Sequence, residues 1–322
     1  MTRESHALAA PFETQTRLTQ IAQAVSPGML IADEVCPRVR TAYKFTYTTL
    51  REEDLLTIPD VRASRAAHLN QVEFGASDTT DSVIDYGLED PVPYRDIDEA
   101  AKQEVPYDPL EQAAVGTAEL VKLAREKRVA TLLETAGNYG TGLSATLAGA
   151  TQWSHADSNP RDAILKALDT PLVRPNTLVM GQAVWTVLRQ HPKIVEAVVR
   201  SGAGDAASGV VMKEAVASLL ELDRVVVGMA WNQTANRGQD NTFARLWGKH
   251  ACAIHIRPGM QARDRMPAFC WTADAMGGMQ VGTYEEPARG VNRGSTVVKV
   301  SECVKELVAY KSAGYLWRSA VA

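Results

Sequence analysis

The sequence predicts an α+β protein: a mixed helix–strand lobe sits at its centre, with long extended segments around it. Three stretches carry that reading. Arg174–Ile194 (RPNTLVMGQAVWTVLRQHPKI) reads as a turn, a short apolar strand and a helix. From Pro109 to about Ala136 runs one long amphipathic helix. Residues 43–97 form an extended excursion with too few apolar side chains to make a core of their own.

Taken in order, residues 1–42 show little periodicity and are cut by Pro11, Ser26-Pro27-Gly28 and Pro37. Such a segment is disordered or lies on another part of the molecule. Tyr43–Leu50 (YKFTYTTL) is aromatic and β-branched and predicts a strand, and Asp81–Leu88 (DSVIDYGL) predicts a weaker one. The polar stretch between them makes this a two-stranded arm that needs a partner surface. In the long helix Asp108 is the expected cap and Pro109 the first residue. Its apolar stripe is Leu110, Ala113, Ala114, Val121, Ala124, Val129, Leu132 and Leu133. Glu119, Lys122, Arg125, Glu126, Lys127 and Arg128 are expected mostly on the solvated face.

A second helix starts at Asn159-Pro160 and ends before Pro171. TLVMG follows as a buried strand, then a helix from Gln182 to Gln190 with Val184, Val187 and Leu188 inward. Pro192 is expected to end it, with His191 placed against the helix dipole. Met212–Leu222 predicts another helix, and Arg224–Trp231 and Gly248–Gly259 predict strands. Ser295–Trp317 alternates well enough for one or two more.

Composition excludes several classes. The formal net charge of −4 gives no basic excess for tight nucleic-acid binding. The longest apolar run, around Val225–Trp231, is far too short to span a bilayer, and no secretory signal is visible. The four scattered cysteines (Cys36, Cys252, Cys270, Cys303) contain no CxxC pair and are expected as free thiols in a reducing, cytosolic setting.

Chemistry is absent from the motifs. His250, Cys252 and His255 invite a metal, but strand alternation puts His255 on the other face and a fourth ligand is missing. Ser201–Gly209 (SGAGDAASG) matches no phosphate-loop pattern. Glu52-Glu53 and Glu285-Glu286 read as solvated pairs, and Ser301 belongs to no nucleophile motif. The acidic run from Asp78 to Glu104 repels polyanions or meets a basic neighbour. No catalytic residue, cofactor or metal is expected, so the chain is not read as an enzyme.

Several segments resemble, in order, the major capsid proteins of tailed bacteriophages. They are VIDYGLEDPVPYRDIDEA (Val83–Ala100), REKRVATLLETAGNY (Arg125–Tyr139), RPNTLVMGQAVWTVLRQHPKI, LLELDRVVVGMAWNQTA (Leu219–Ala235) and RLWGKHACAIHI (Arg245–Ile256). The resemblance covers roughly residues 40–320 and implies the Hong Kong 97-like capsid fold. It assigns 1–42 to an N-terminal arm, 43–97 to an extended β-loop and 98–149 to a peripheral domain with a spine helix. Residues 150–268 become an axial domain, 269–310 the returning strands of the peripheral domain, and 311–322 a C-terminal strand of the axial domain.

The implied function is a structural subunit of an icosahedral shell that encloses double-stranded DNA without sequence-specific binding. The implied partners are further copies of the chain, as hexamers and pentamers, and a portal protein; separate scaffolding and decoration proteins stay open. The implied location is the virion, after assembly in the host cytoplasm. Some relatives weld subunits through a loop lysine, but no lysine occurs from Phe45 to Ala101, with Lys44 alone at the loop base. Covalent linkage is therefore not expected. The sequence also lacks a long charged helical prefix of the kind that scaffolds some relatives. Arg51, Arg62 and Arg65, near Glu52, Glu53, Asp54 and Asp60, are the expected inter-subunit contacts. Two alternatives stand beside this reading: an encapsulin-like compartment around a protein cargo, and a soluble α/β enzyme with an unrecognised site.

Overall fold

A computed structural model describes residues 13–24, 30–50, 58, 61–62, 76–103, 107–201, 210–236, 238–261, 268–289 and 294–322. Its α-helices are α1 (Thr16–Ala24), α2 (Ala32–Val35), α3 (Tyr94–Ala100), α4 (Pro109–Glu134), α5 (Pro160–Leu168), α6 (Gln182–Leu188), α7 (Pro192–Ser201) and α8 (Lys213–Leu219). Among the described residues the strands form two sheets and two separate ribbons.

The six-stranded sheet is built around β14 (Ser295–Val308). One edge of β14 pairs antiparallel with β5 (Ile84–Pro93), from Ser295↔Pro93 to Val304↔Ile84. The other edge takes β13 (Gln280–Glu286) and then β12 (Cys270–Asp274). Outside these lie β1 (Glu13–Thr14) and β2 (Arg38–Arg40). The five-stranded sheet has the order β6 (Ser144–Thr146), β15 (Gly314–Arg318), β11 (Ala251–Ile254), β7 (Thr177–Gly181), β8 (Arg224–Gly228). The ribbons are β3 (Lys44–Leu50) with β4 (Ala76–Ser82), and β9 (Trp231–Gln233) with β10 (Phe243–Arg245).

Helix α4 joins the two sheets. Asp108 caps it by accepting the N–H groups of Leu110 and Glu111 at 3.0 and 3.3 Å, and Pro109 opens it. Its 26 residues span about 39 Å. The N-terminal half lays Ala113, Ala114, Ala118 and Val121 on Val298 and Val300 of β14, with Leu18 and Ala22 of α1 beside them. The C-terminal half packs Val129, Ala130 and Leu133 against Cys252, Ile254 and Leu316 of the five-stranded sheet. Helices α5 to α8 cover that sheet's other face through Ile164, Val184, Leu188 and Val216. Covered on both sides, TLVMG is buried at every position, as an apolar run without alternation requires.

Several expectations change. Ala124 is exposed, whereas Arg125 and Glu126, expected on the solvated face, are buried and Arg128 is half-buried. The reason is that they meet partners there: Asp33 for Arg125, Glu302 for Arg128 and the Ala32 N–H for Glu126. Asp81–Leu88 is not one strand: β4 ends at Ser82, and β5 starts at Ile84 to complete the large sheet. Arg224–Trp231 divides likewise into β8 and β9. Pro192 does not merely stop α6, which ends at Leu188; it opens α7, where its missing N–H falls on a position that has no helical acceptor. His191 then serves the start of a helix instead of an end. Its Nδ1 accepts the N–H of Lys193 at 3.2 Å, and burial pushes its pKa down. The described parts of 1–42 lie on α4 and the six-stranded sheet.

Candidate assembly surface

The β3–β4 ribbon leaves the molecule from a well-anchored base. Phe45 is buried with its ring 5.7 Å from Trp271 of β12, and Tyr47 sits 6.1 Å from the same indole. Lys305 of β14 reaches Asp81 at 2.5 Å. Burial pushes the Asp81 pKa up, but the Lys305 ammonium and the Ser82 N–H outweigh it and hold the carboxyl below its ordinary range. Of the expected contact residues, Arg62 is exposed, while Arg51, Arg65, Glu52, Glu53, Asp54 and Asp60 lie outside the described residues.

Beneath the ribbon's base lies a charge cluster that the sequence reading missed. Arg125 of α4 is 1% exposed. It bonds the Asp33 carboxylate, donates to Thr272 Oγ1 at 3.0 Å and to the Cys36 carbonyl at 3.3 Å, and lies 3.7 Å from Glu306. One turn on, Arg128 donates to Glu306 and Glu302 at 2.9 and 3.2 Å and stacks 3.7 Å over the Tyr86 ring of β5. Arg38 of β2 closes the set, donating to Asp33 at 2.8 Å, Glu302 at 3.1 Å and Asp274 at 3.2 Å. Three guanidiniums thus meet Asp33, Asp274, Glu302 and Glu306. Burial raises the Asp33 pKa, yet Arg125 and Arg38 together hold it below the ordinary value.

Glu126 adds a neighbouring clasp. Its carboxylate accepts the N–H groups of Ile31 and Ala32 at 3.0 and 2.8 Å and the Trp247 indole at 2.6 Å. Burial dominates and pushes its pKa up. The Trp247 ring fills the space over Gly228, where an added Cβ would fall 2.0 Å from it.

These groups could have been found. Arg125 lies four residues from both Val121 and Val129, on the helix's buried stripe. Glu302 and Glu306 continue the Val298, Val300, Val304 alternation that faces α4. Charged residues in apolar register are the signal.

The residues considered for a metal go elsewhere. His250 Nδ1 accepts the Ser319 N–H at 3.0 Å, and His255 Nδ1 contacts the Arg174 carbonyl at 3.1 Å. Burial pushes the Cys252 thiol up to about 12. Among the described residues no group of three His, Cys, Asp or Glu side chains has a metal-binding arrangement, and no helix is long and apolar enough to cross a membrane.

The surface thus presents joints and ribbons, and comparison with known proteins says what they belong to. The chain is 38% identical over 320 residues to the major capsid protein of Pseudomonas phage JBD67, covering 97% of this chain and 99% of that one. This chain belongs to the phage major capsid proteins. A family model described as phage major capsid protein E matches residues 123–234, from the second half of α4 through β9. Among solved structures, a phage-related protein from Bordetella bronchiseptica RB50 superposes with a TM-score of 0.75 at 20% identity, covering 97% of this chain and 99% of that one. The capsid of cyanophage P-SCSP1u gives 0.59 at 13% identity, with 99% and 92% covered. The capsid fold is therefore Hong Kong 97-like, and this capsid protein is a structural shell subunit that assembles with its own copies.

Proposed function

We propose that this capsid protein forms a closed icosahedral shell of hexamers and pentamers around double-stranded DNA, assembled in the host cytoplasm with a portal protein at one vertex. Separate scaffolding and decoration proteins fit the same reading. The observation that carries it is the β3–β4 ribbon. Among the described residues the ribbon has two strands and no third, below the size that is stable alone, so beyond its anchored base it draws its support from neighbouring copies. We further propose the division into N-terminal arm, extended loop, peripheral and axial domains given above, with the loop returning to the sheet at Ile84. In this arrangement Arg51, Arg62 and Arg65 meet carboxylates of an adjacent subunit, where weak contacts repeat around the shell.

DNA is confined and not gripped, since a net charge of −4 gives little counterion-release affinity. The subunits join without covalent links, because the loop carries no lysine beyond Lys44. Electron microscopy and nucleic-acid analysis of particles from the native source test the reading: closed shells holding double-stranded DNA are expected. Particles filled with protein cargo, or purified chain that stays a compact monomer under assembly conditions, would overturn it. After boiling in detergent the particles should give one band near the 34.9 kDa monomer mass, and a ladder of multimers would refute non-covalent assembly.

A further inference from the structure

The β9–β10 ribbon carries a face that the described residues leave largely exposed. The register sets Arg245 opposite Trp231 and Phe243 opposite Gln233, so Trp231, Phe243 and Arg245 share one side. Trp231 is 46% exposed and Phe243 61%. The Arg245 guanidinium lies 4.3 Å over the Trp231 ring, and among the described residues it has no carboxylate partner. Trp, Phe and Arg are the residue types that concentrate binding energy at protein interfaces. Two short strands do not hold themselves flat in water, so this ribbon too calls for a surface.

A matching surface exists on the same chain. Strand β5 is an edge of the six-stranded sheet, bonded through β14 on one side. Ile84, Tyr86, Leu88 and Asp90 share a side of β5, the side that faces α4; Arg128 covers Tyr86, while Ile84, Leu88 and Asp90 stay exposed along the strand, Ile84 at 46% and Leu88 at 44%. The pattern on β5 is apolar, then acidic two residues on. On β10 it is aromatic at Phe243, then basic two residues on. Each step spans about 6.7 Å along a strand, so ring can meet aliphatic side chain while guanidinium meets carboxylate.

We propose that the Trp231–Phe243–Arg245 face of one subunit docks on the Ile84–Leu88–Asp90 face of a second copy. The contact is heterologous, joining two different patches, and such contacts repeat around rings of like subunits. It rests on the shell reading above and adds a contact independent of the extended loop.

The tryptophans make the test direct. Of the six in the chain, Trp153, Trp185, Trp247, Trp271 and Trp317 are at most 3% exposed, so Trp231 is the one that acrylamide reaches in free subunits. Trp231→Phe should remove most of the quenchable emission from free subunits while circular dichroism stays unchanged. In shells made from this chain alone, that quenchable fraction should vanish. Arg245→Glu and Asp90→Arg should each lower shell yield by about tenfold, and the double variant should recover most of it.

Shells in which Trp231 stays quenchable would overturn the contact. Protection that appears only when another virion protein is added would also overturn it, by naming a different occupant. Protection without rescue by the double exchange would remove the β5 face as the partner. If particles from the native source are not closed shells, the shell reading falls and takes this contact with it, an outcome distinct from shells with an open Trp231.

Discussion

The two sheets meet the long helix in opposite ways. The five-stranded sheet is sealed by apolar side chains on both faces, with Trp153 and Trp317 in contact at 5.6 Å beneath α5 to α8. The six-stranded sheet shares an apolar patch with the first half of α4, but its junction with the middle of the helix is ionic. An apolar seal tolerates small shifts and loses energy in proportion to area and cavity. A buried ion network tolerates little, because a charge left without its partner is costly. The difference suggests a lobe that keeps its shape and a joint that fixes the placing of the N-terminal segment.

Three experiments sharpen that contrast. The largest effect is expected in the apolar lobe, where Trp317→Ala should lose about 3–5 kcal/mol in denaturant unfolding. In the joint, Glu302→Ala takes one carboxylate from each of Arg38 and Arg128 and should lose about 3 kcal/mol, whereas replacing the whole cluster by apolar residues of similar volume should lose far less. Equal losses for the single and the complete replacement would show that packing, and not charge, holds the joint. The smallest effect belongs to the partly exposed Lys305–Asp81 pair. Asp81→Asn should lose under about 1 kcal/mol and shrink further in high salt.

A titration separates the lobe from the joint in a different way. Buried His191 is neutral in the folded lobe, and its pKa is pushed below the ordinary 6.5 by burial, assisted by Lys193 and opposed by the His155 carbonyl. Its contribution is therefore intact above pH 6.5 and is lost as pH falls from there through the folded value. Glu126 and Glu134, pushed up by burial, titrate with the opposite sign. His191→Asn keeps an acceptor for the Lys193 N–H, so the difference between the two melting profiles below pH 6.5 isolates the histidine. Parallel profiles would refute the assignment.

What could be read in advance was whatever is local. The capped start of α4 and the TLVMG strand follow from neighbouring residues alone. Helix α7 was hidden because a proline marks a helix start as well as an end. The loop arginines were legible as residues but not as contacts, since nothing in the neighbouring sequence names their partners. Arg125 and Glu126 were misread, and Glu302 was passed over, for a third reason. Their charge suggests water, and only partners up to 264 positions apart along the chain make their burial tolerable.

The last strand that each sheet receives has a consequence in time. β14 separates β5 from β12 and β13, and β15 lies between β6 and β11, so neither sheet can close until residues 295–318 have been made. About 200 residues separate β5 from β14, which at roughly 5–20 residues per second is a delay of about 10–40 s on the ribosome. Throughout that interval the edge of β5 and the base of the extended ribbon have no sheet to rest on. A chain broken off before β14 therefore never completes either sheet, and β5 and the base of the ribbon keep an open edge.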